Sequence, residues 1–256
     1  MSKFQIFQFS YNADNYGVLI HDAETGETAC VDAGDCGAYQ SALAAKGWSL
    51  SQIWITHHHG DHTAGLTELK KATGAQVLGP NPASTPISGI DEFLGEGEKF
   101  SFAGRDVSVL ETPGHTLDMI NFYIADEAIV FTGDTLFALG CGRLFEGTAH
   151  QMWDSLSKLM VLPDETVVYC SHEYTKANAD FALSVDPNNA ALTARAEKIA
   201  TLRAAGKPTV PSTIGLERET NPFVRPGDAA IRAQLGMESA DDAAVFAEIR
   251  KRKDNF

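Results

Sequence analysis

Residues Thr56–His62 read Thr-His-His-His-Gly-Asp-His and directly follow Gln-Ile-Trp-Ile, a run typical of a β-strand. In an extended segment alternate side chains point to the same side, so His57 and His59 can face one position. Asp61 and His62 can close around a second position as the next helix starts. Imidazole and carboxylate ligands suit zinc, iron or manganese, and no thiolate cluster accompanies them. The stretch therefore predicts a functional metal site in a loop after a strand.

Three more residues of the same chemistry, His115, Asp134 and His172, each follow a short apolar run that predicts a strand. Ligands gather at strand ends in layered α/β folds, because the loops there converge on one edge of the sheet. A single histidine is more often structural, and Asp134 alone would be interpreted as a turn residue in Thr-Gly-Asp-Thr. The ordered set as a whole favours a metal site.

Short β-rich runs dominate the chain up to His172, beginning with Phe4–Phe9, Tyr16–Ile20 and Thr28–Val31. Helical patterns over Ala38–Ala45 and His62–Ala72 interrupt them, each followed by a glycine that predicts a helix end. Strands followed by helices, twice over, predict two sheets packed face to face with helices outside.

The composition changes after Glu173 to alanine-rich helical patterns without a convincing strand. The clearest helices are predicted over Ala177–Val185, Asn189–Ala205 and Asp242–Lys253. Proline disfavours helix at the residue before it, so Lys207–Pro211 and Thr220–Phe223 are predicted to be extended connectors. We therefore predict a catalytic domain over residues 1–172 and a small helical domain over residues 173–256.

The chain has 256 residues, of which 44% are apolar, and a formal net charge of −14. This charge disfavours a nucleic-acid partner, since phosphate binding depends on a basic surface. It would also repel an anionic thiol conjugate at long range, so such a ligand would need a local basic patch. The basic run Arg250–Lys253 is that patch.

The four cysteines lack Cys-x-x-Cys spacing and fit free thiols in a reducing compartment, although the sequence leaves a Cys30–Cys36 disulfide open. Cys141 could be interpreted as a nucleophile, but a buried structural cysteine is the common case. The start Met1–Phe4 lacks the features of a signal peptide, and no apolar stretch approaches the ~20 residues of a membrane span. We expect a cytoplasmic protein without membrane contact, and take a monomer as the default.

The donor set resembles the pattern His-x-His-x-Asp-His, then His, Asp and His, of the metallo-β-lactamase superfamily. Within it the chain is most similar to the glyoxalase II group, the hydroxyacylglutathione hydrolases. This similarity rests on Asp14–Tyr16, Gly133–Phe137, Gly140–Arg143, His172–Thr175, Glu219–Phe223 and Arg250–Asp254. The resemblance implies an α+β fold, a four-layer αββα sandwich, with a small C-terminal α-helical domain.

The resemblance also implies an activity, the hydrolysis of S-D-lactoylglutathione, a 2-hydroxyacylglutathione thioester, to glutathione and D-lactate in methylglyoxal detoxification. The nucleophile would be a hydroxide that bridges two divalent metal ions, zinc by default, with iron and manganese as alternatives. Asp61 would be both a ligand and the residue that orients the hydroxide. By analogy the first ion takes His57, His59 and His115, the second takes Asp61, His62 and His172, and Asp134 bridges them.

Glutathione contacts in this group correspond to Arg143, Tyr174, Arg250 and Lys253. Without the resemblance, Arg250 and Lys253 would be interpreted as a solvated helix face. Arg143 stands where many members have lysine, which changes the hydrogen-bond geometry, and Phe145 stands where many have tyrosine, which removes a phenolic hydroxyl.

Three other functions are compatible with the fold that the resemblance implies. The first is a glutathione persulfide dioxygenase, which would use a single iron. The second is a binding module without catalysis, which would be expected to have lost metal ligands. The third is a lactonase or β-lactamase, which the basic C-terminal run disfavours.

Overall fold

The computed structural model describes residues 3–83 and 85–256. Met1, Ser2 and Ser84 lie outside the described residues. The first two of these belong to the start Met1–Phe4, from which we expect no signal peptide. The chain forms two compact units. The first unit comprises the residues up to Glu111 together with Thr116–Gly133, and the second comprises Thr112–His115 together with Asp134–Phe256.

A six-stranded sheet in the first unit has its strands in chain order. The first three strands are antiparallel neighbours, and the last four run parallel to one another. The predicted strands near the start of the chain are confirmed. The strands are β1 Gln5–Tyr11, β2 Asn15–His21, β3 Thr28–Val31, β4 Gln52–Trp54, β5 Gln76–Pro80 and β6 Glu92–Leu94.

Four further strands of the first unit pair antiparallel with their chain neighbours: β7 Lys99–Phe102, β8 Arg105–Glu111, β9 Ile120–Ile124 and β10 Ile129–Gly133. Trp54 of β4 is fully buried. Its ring lies 5.1 Å from Phe100 and 5.6 Å from Phe122, measured between centroids. An aromatic cluster therefore joins the two sets of strands face to face, as predicted.

Helices cover the other face of the six-stranded sheet. Tyr39 and Leu43 of α1 (Cys36–Lys46) and Leu69 of α3 (Leu66–Thr73) belong to one apolar cluster with the sheet residues Leu19 and Ile53. The prediction for α1 is confirmed: it begins after Asp35, whose side chain caps it, and ends at Gly47 in the left-handed conformation.

The prediction of one helix over His62–Ala72 is wrong, because the chain forms α2 (Gly60–Thr63) and then α3, with Gly65 between them. Gly65 lies against the loop after β3, where a Cβ atom would be 2.4 Å from the main-chain nitrogen of Cys36. The main-chain nitrogen of Gly65 donates to Ala33 O at 2.8 Å. This close approach breaks the helix, and a local helical pattern cannot reveal it.

The second unit is rich in helices, and those predicted after Glu173 are confirmed. Its helices are α4 Ala149–Leu159, α5 Thr175–Val185, α6 Ala190–Ala204, α7 Ile214–Thr220, α8 Ala229–Leu235 and α9 Asp242–Asp254. Its strands are β11 Leu136–Phe137, β12 Gly140–Cys141, β13 Val167–Cys170 and β14 Ser212–Thr213. Across residues 3–83 and 85–256, no helix is both long and apolar enough to cross a membrane.

The prediction that no strand follows Glu173 is wrong, since β14 pairs antiparallel with β13 through Thr213 and Ser212. A two-residue strand is too short for side-chain alternation to reveal it. The predicted extended connector Lys207–Pro211 leads directly into β14. The other connector is partly wrong, because Pro222–Val224 forms a single 3-10 turn.

Candidate metal centre

Four predicted donors follow β4 in the first unit: His57 and His59 lie in the loop after the strand, and Asp61 and His62 lie in α2. His57 Nε2 is 3.1 Å from His59 Nδ1, and His62 Nε2 is 3.3 Å from Asp61 Oδ2. The His57 and His62 side chains are fully buried. The loop therefore points its imidazole and carboxylate atoms at common positions instead of dispersing them in solvent.

Asp32, which the sequence analysis missed, orients two of these histidines. Its carboxylate lies 2.7 Å from His62 Nδ1 and accepts from the main-chain nitrogen of Thr56 at 2.8 Å. A carboxylate can only accept, so His62 Nδ1 carries the proton and Nε2 keeps the lone pair that could bind a metal ion. Asp32 directly follows β3, and the strand-end rule applied to His115 could have found it.

Thr56 links the Asp32 carboxylate to His57 and fixes the tautomer of that histidine as well. Its hydroxyl donates to the Asp32 carboxylate at 3.0 Å and lies 3.0 Å from His57 Nδ1. Because the hydroxyl proton is used on Asp32, His57 Nδ1 donates to the hydroxyl oxygen and Nε2 carries the lone pair. Asp32 has a φ of 59°, an uncommon backbone conformation for a residue other than glycine, and one that is often found at functional sites.

Asp61 is held through its side chain and its main chain. Asn15 Nδ2 donates to Asp61 Oδ2 at 2.9 Å, and the Tyr11 hydroxyl donates to the Asp61 main-chain oxygen at 2.8 Å. Gly34 lies behind the loop, where a Cβ atom would be 1.8 Å from that oxygen. The position of Asn15 in the Asp14–Tyr16 motif does not by itself predict this contact with Asp61, which lies 46 residues away.

His58, between the two predicted ligands His57 and His59, has a different partner. Its Nδ1 lies 3.0 Å from both carboxylate oxygens of the buried Asp118. The Asp118 carboxylate thus ties the histidine loop to the segment before β9.

The second unit carries the other three donors, His115, Asp134 and His172, all of them buried. Asp134 Oδ2 is 3.4 Å from His115 Nε2 and 3.4 Å from His172 Nε2. His115 Nδ1 donates to Arg143 O at 2.8 Å, which leaves Nε2 as its ligand atom. One carboxylate oxygen therefore faces two imidazole nitrogens.

Gly142 is required by this geometry. A Cβ atom at this position would be 2.0 Å from the Asp134 main-chain oxygen and 3.0 Å from His115 Nδ1. No side chain fits so close to the backbone, so the glycine allows the segment that carries Arg143 to pass directly over two donors.

Aromatic rings flank His172. The Tyr174 ring stacks on it at 4.8 Å with an interplanar angle of 2°, and the Phe137 ring meets it edge-on at 5.8 Å. Phe145 lies beside His115, at 5.2 Å between ring centroids. These contacts restrict the orientation of both imidazoles.

The donor sets of both units suit divalent metal ions. Two ligand atoms that each lie about 2.1 Å from a tetrahedral ion are roughly 3.4 Å apart. The separations within each unit, from 3.1 to 3.4 Å, match this spacing. The donors are nitrogen and oxygen atoms, as expected for a catalytic site that holds zinc, iron or manganese.

The predicted substrate contacts differ in exposure. The Arg143 side chain is 63% exposed, and its Nε lies 3.7 Å from Asp254. Lys253 is half-buried, donates from Nζ to Ala177 O at 2.9 Å, and has a pKa that burial lowers. Arg250 is only 5% exposed and donates to Cys141 O at 3.0 Å and to Asp254 at 2.8 Å. Arg250 is thus packed inside the second unit.

The cysteines are all free thiols. Cys141 is buried, and burial raises the pKa of its thiol to about 11. At neutral pH it is protonated and shielded, so it is not the nucleophile that its sequence position could suggest.

Comparison with known proteins gives two family matches that together run from residue 15 to the end of the chain. The family model described as "Metallo-beta-lactamase superfamily" matches residues 15–172. The model described as "Hydroxyacylglutathione hydrolase C-terminus" matches residues 173–256.

Individual relatives agree with these matches. The chain is 54% identical over its full length, and over the full length of the relative, to a hydroxyacylglutathione hydrolase of Rhizobium meliloti. It is also 54% identical to a hydroxyacylglutathione hydrolase of Brucella anthropi, over 99% of the chain and 98% of the relative. Among solved structures, ETHE1 from Myxococcus xanthus superposes with a TM-score of 0.69 at 25% identity, covering 98% of this chain and 90% of that one.

Proposed function

This chain belongs to the hydroxyacylglutathione hydrolases of the metallo-β-lactamase superfamily and has their metallo-β-lactamase fold, and on that premise we propose that it hydrolyses S-D-lactoylglutathione to glutathione and D-lactate. The observation that carries the proposal is the 54% identity to enzymes of that name over the whole chain. The enzyme is a metal-dependent thioester hydrolase that removes a product of methylglyoxal disposal.

Two divalent ions would bind to the donors described above, zinc by default with iron or manganese as alternatives. His57, His59 and His115 would hold one ion, Asp61, His62 and His172 the other, and Asp134 would be shared. Ions held there would polarise the thioester carbonyl and lower the pKa of a bound water to roughly 7, which would supply a nucleophile at neutral pH.

The protein side of the mechanism is the orientation of ligands. Asp32 and Thr56 hold the protons of His62 and His57 on Nδ1, and Arg143 O does the same for His115. Asn15 holds Asp61 Oδ2. A thiolate is a good leaving group that needs little protonation, so the reaction does not require a separate general acid.

The glutathione part of the substrate is assigned to Arg143, Tyr174, Arg250 and Lys253. Arg143 and Lys253 supply positive charge in a chain with a net charge of −14, which supports recognition of an anionic thiol conjugate. The Arg250 guanidinium is buried and donates to Cys141 O, so Arg250 would support substrate binding by holding this segment in place. We further propose that residues 1–172 form the catalytic domain and that residues 173–256 form the substrate-binding domain. We also propose that the protein is a monomer and that it lies in the cytoplasm, a reducing compartment that the four free thiols favour.

The alternative of a glutathione persulfide dioxygenase is not favoured, because the relatives at 54% identity are named as hydrolases. The test is an anaerobic assay with S-D-lactoylglutathione that follows thioester loss and free thiol, with metal content measured on the same sample. Hydrolysis without oxygen and about two metals per chain support the proposal. No hydrolysis and a single iron would overturn it.

A further inference from the structure

The hairpin formed by β11 and β12, Leu136–Cys141, is buried along its whole length. Each of its strands has only two residues, so its own ladder satisfies few of its main-chain groups. Leu139 at its turn has a φ of 59°. Buried peptide groups need hydrogen-bond partners, so this hairpin depends on donors and acceptors from outside.

Side chains of the second unit that lie after the hairpin in sequence supply those partners. Asn221 Nδ2 donates to Gly140 O at 3.0 Å and to Phe137 O at 3.3 Å. Glu217 Oε2 accepts from the main-chain nitrogen of Leu139 at 2.8 Å. Asn178 Nδ2 donates to Ala138 O at 3.1 Å. Arg250 donates to Cys141 O, on the last residue of the hairpin, at 3.0 Å. Side chains therefore form hydrogen bonds with five main-chain groups of this six-residue hairpin.

Glu217 and Asn221 are fully buried and bind each other at 3.0 Å. Arg195, Ser212 and Thr220 extend the network: Arg195 pairs with the Glu217 carboxylate and donates to the Thr220 hydroxyl at 2.6 Å, and Ser212 donates to Glu217. Arg195, Ser212, Asn221 and the main-chain nitrogen of Leu139 thus supply hydrogen-bond donors to the buried Glu217 carboxylate. Asn221 belongs to the Glu219–Phe223 motif, and its side chain has no exposed surface to offer a ligand.

Phe137 is the hairpin residue that reaches the metal ligands of this unit. Its ring meets both the His172 ring and the Tyr174 ring edge-on, at 5.8 and 5.4 Å with interplanar angles of 89°. Tyr174 lies flat on His172. A displacement of the hairpin backbone would therefore change the packing on one face of a predicted ligand.

We propose that Glu217 and Asn221 are positioning residues that fix the Phe137 ring against His172 by holding the main chain of the Leu136–Cys141 hairpin. This inference deepens the proposed function, since it rests on His172 as a metal ligand. The Glu219–Phe223 motif thus acts on the site through Asn221, from behind the hairpin, and not through contact with substrate or metal.

The test is a double-mutant cycle with Asn221→Asp and Phe137→Leu, using full-length protein and the dissociation constant for Co²⁺ from optical titration. Asn221→Asp keeps the size of the side chain and the acceptor that caps Phe223 N, but removes the amide that donates to the hairpin and to Glu217. We expect each single change to raise this constant by about tenfold. If Asn221 acts through Phe137, the double variant is raised by about tenfold as well, not by about a hundredfold.

Asn189→Asp is the matched control. The Asn189 amide donates to Glu219 O at 3.0 Å and to the Asp186 carboxylate at 2.9 Å, neither of which belongs to the hairpin. Its Co²⁺ constant should stay within about twofold of the wild-type value. If Asn221→Asp does not fold in a thermal melt, Asn221→Ala, which also removes the donors to Phe137 O and Gly140 O, replaces it in the cycle.

Independent, multiplicative effects of the two changes, or an Asn221→Asp protein with unchanged Co²⁺ affinity, would overturn the inference. Parallel kcat/KM values with the thioester should show the same coupling. The metal titration does not need turnover, so a protein that hydrolyses no thioester but shows the coupling would refute the proposed function and leave the positioning role standing.

Discussion

Asp32 Oδ2 accepts a 2.7 Å hydrogen bond from His62 Nδ1, and both groups are buried. The same carboxylate holds the hydroxyl of Thr56, which in turn accepts from His57. One aspartate thus sets the tautomers of two predicted ligands that belong to different ions in the proposed assignment. A carboxylate behind a ligating imidazole also raises its basicity.

Asp32→Ala should therefore weaken metal binding by about 10- to 100-fold, with a similar loss of kcat/KM. Competition with a chelator measures the first quantity and a thioester assay the second. Asp35→Ala is the control, because Asp35 only caps α1 and its loss should cost about 1 kcal/mol of stability without affecting metal affinity. Equal metal affinity in the two variants would contradict the role of Asp32.

Asn15→Leu should lower the affinity for the ion that Asp61 binds by about tenfold, because the amide that fixes Asp61 Oδ2 is lost. Tyr11→Phe is the comparison. It removes the hydroxyl that donates to the Asp61 main chain but leaves the carboxylate contact intact. Metal occupancy after dialysis at limiting zinc should fall in the first variant and stay near the wild-type value in the second. If both lose metal equally, Asn15 anchors only the loop.

The strands that precede the donors could be predicted because each is a short apolar run with a turn behind it. The ends of β8, β10 and β13 at Glu111, Gly133 and Cys170 confirm those predictions. Each of these runs spans only a few consecutive residues, so the residues of the run themselves predict the strand.

The end of β3 marks Asp32 as a candidate, but the contacts that orient the donors could not be predicted in this way. Asp32 is 30 positions from His62, and Asn15 is 46 positions from Asp61. Arg250, on a charged terminal helix, is buried because its acceptor, Cys141 O, lies 109 positions away. Such contacts depend on tertiary packing, and each of these polar residues looks like a surface residue when only its neighbours in sequence are considered.

The thiols should differ in reactivity. Burial raises the pKa of Cys141 to about 11 and that of Cys170 to about 12, whereas Cys36 is only partly buried. A thiol reagent at pH 8 should therefore modify Cys36 first in the native protein, and Cys36→Ser should remove this fast phase. Rapid labelling of Cys141 in the folded Cys36→Ser protein would contradict the prediction.

The same raised pKa values predict how stability depends on alkaline pH. Both thiols ionise near 9.0 when exposed, so above that pH the unfolded chain loses protons that the folded chain keeps. Their contribution is complete below pH 9 and is lost as the pH rises toward 11 and 12. Urea unfolding of wild type and Cys170→Ala should show a steeper decline above pH 9 in the wild type. Identical pH profiles would contradict this.

Lys253→Ala should mainly raise KM for the glutathione thioester, by about tenfold, because one charge-assisted contact to the substrate is lost in the ground state and the transition state alike. Lys251→Ala is the control, since Lys251 lies on the same helix but is solvent-exposed, 4.0 Å from Glu248.

Lys253→Arg should restore part of the affinity because the charge remains, although the longer, planar guanidinium of arginine cannot reproduce the contact of Lys253 Nζ with Ala177 O. Raising the ionic strength should increase KM more in wild type than in Lys253→Ala, since salt screens a charge that the variant lacks. An unchanged KM with a collapsed kcat would instead mean that Lys253 acts on the transition state, and the helix α9 residues would then have to be reassigned from binding to catalysis.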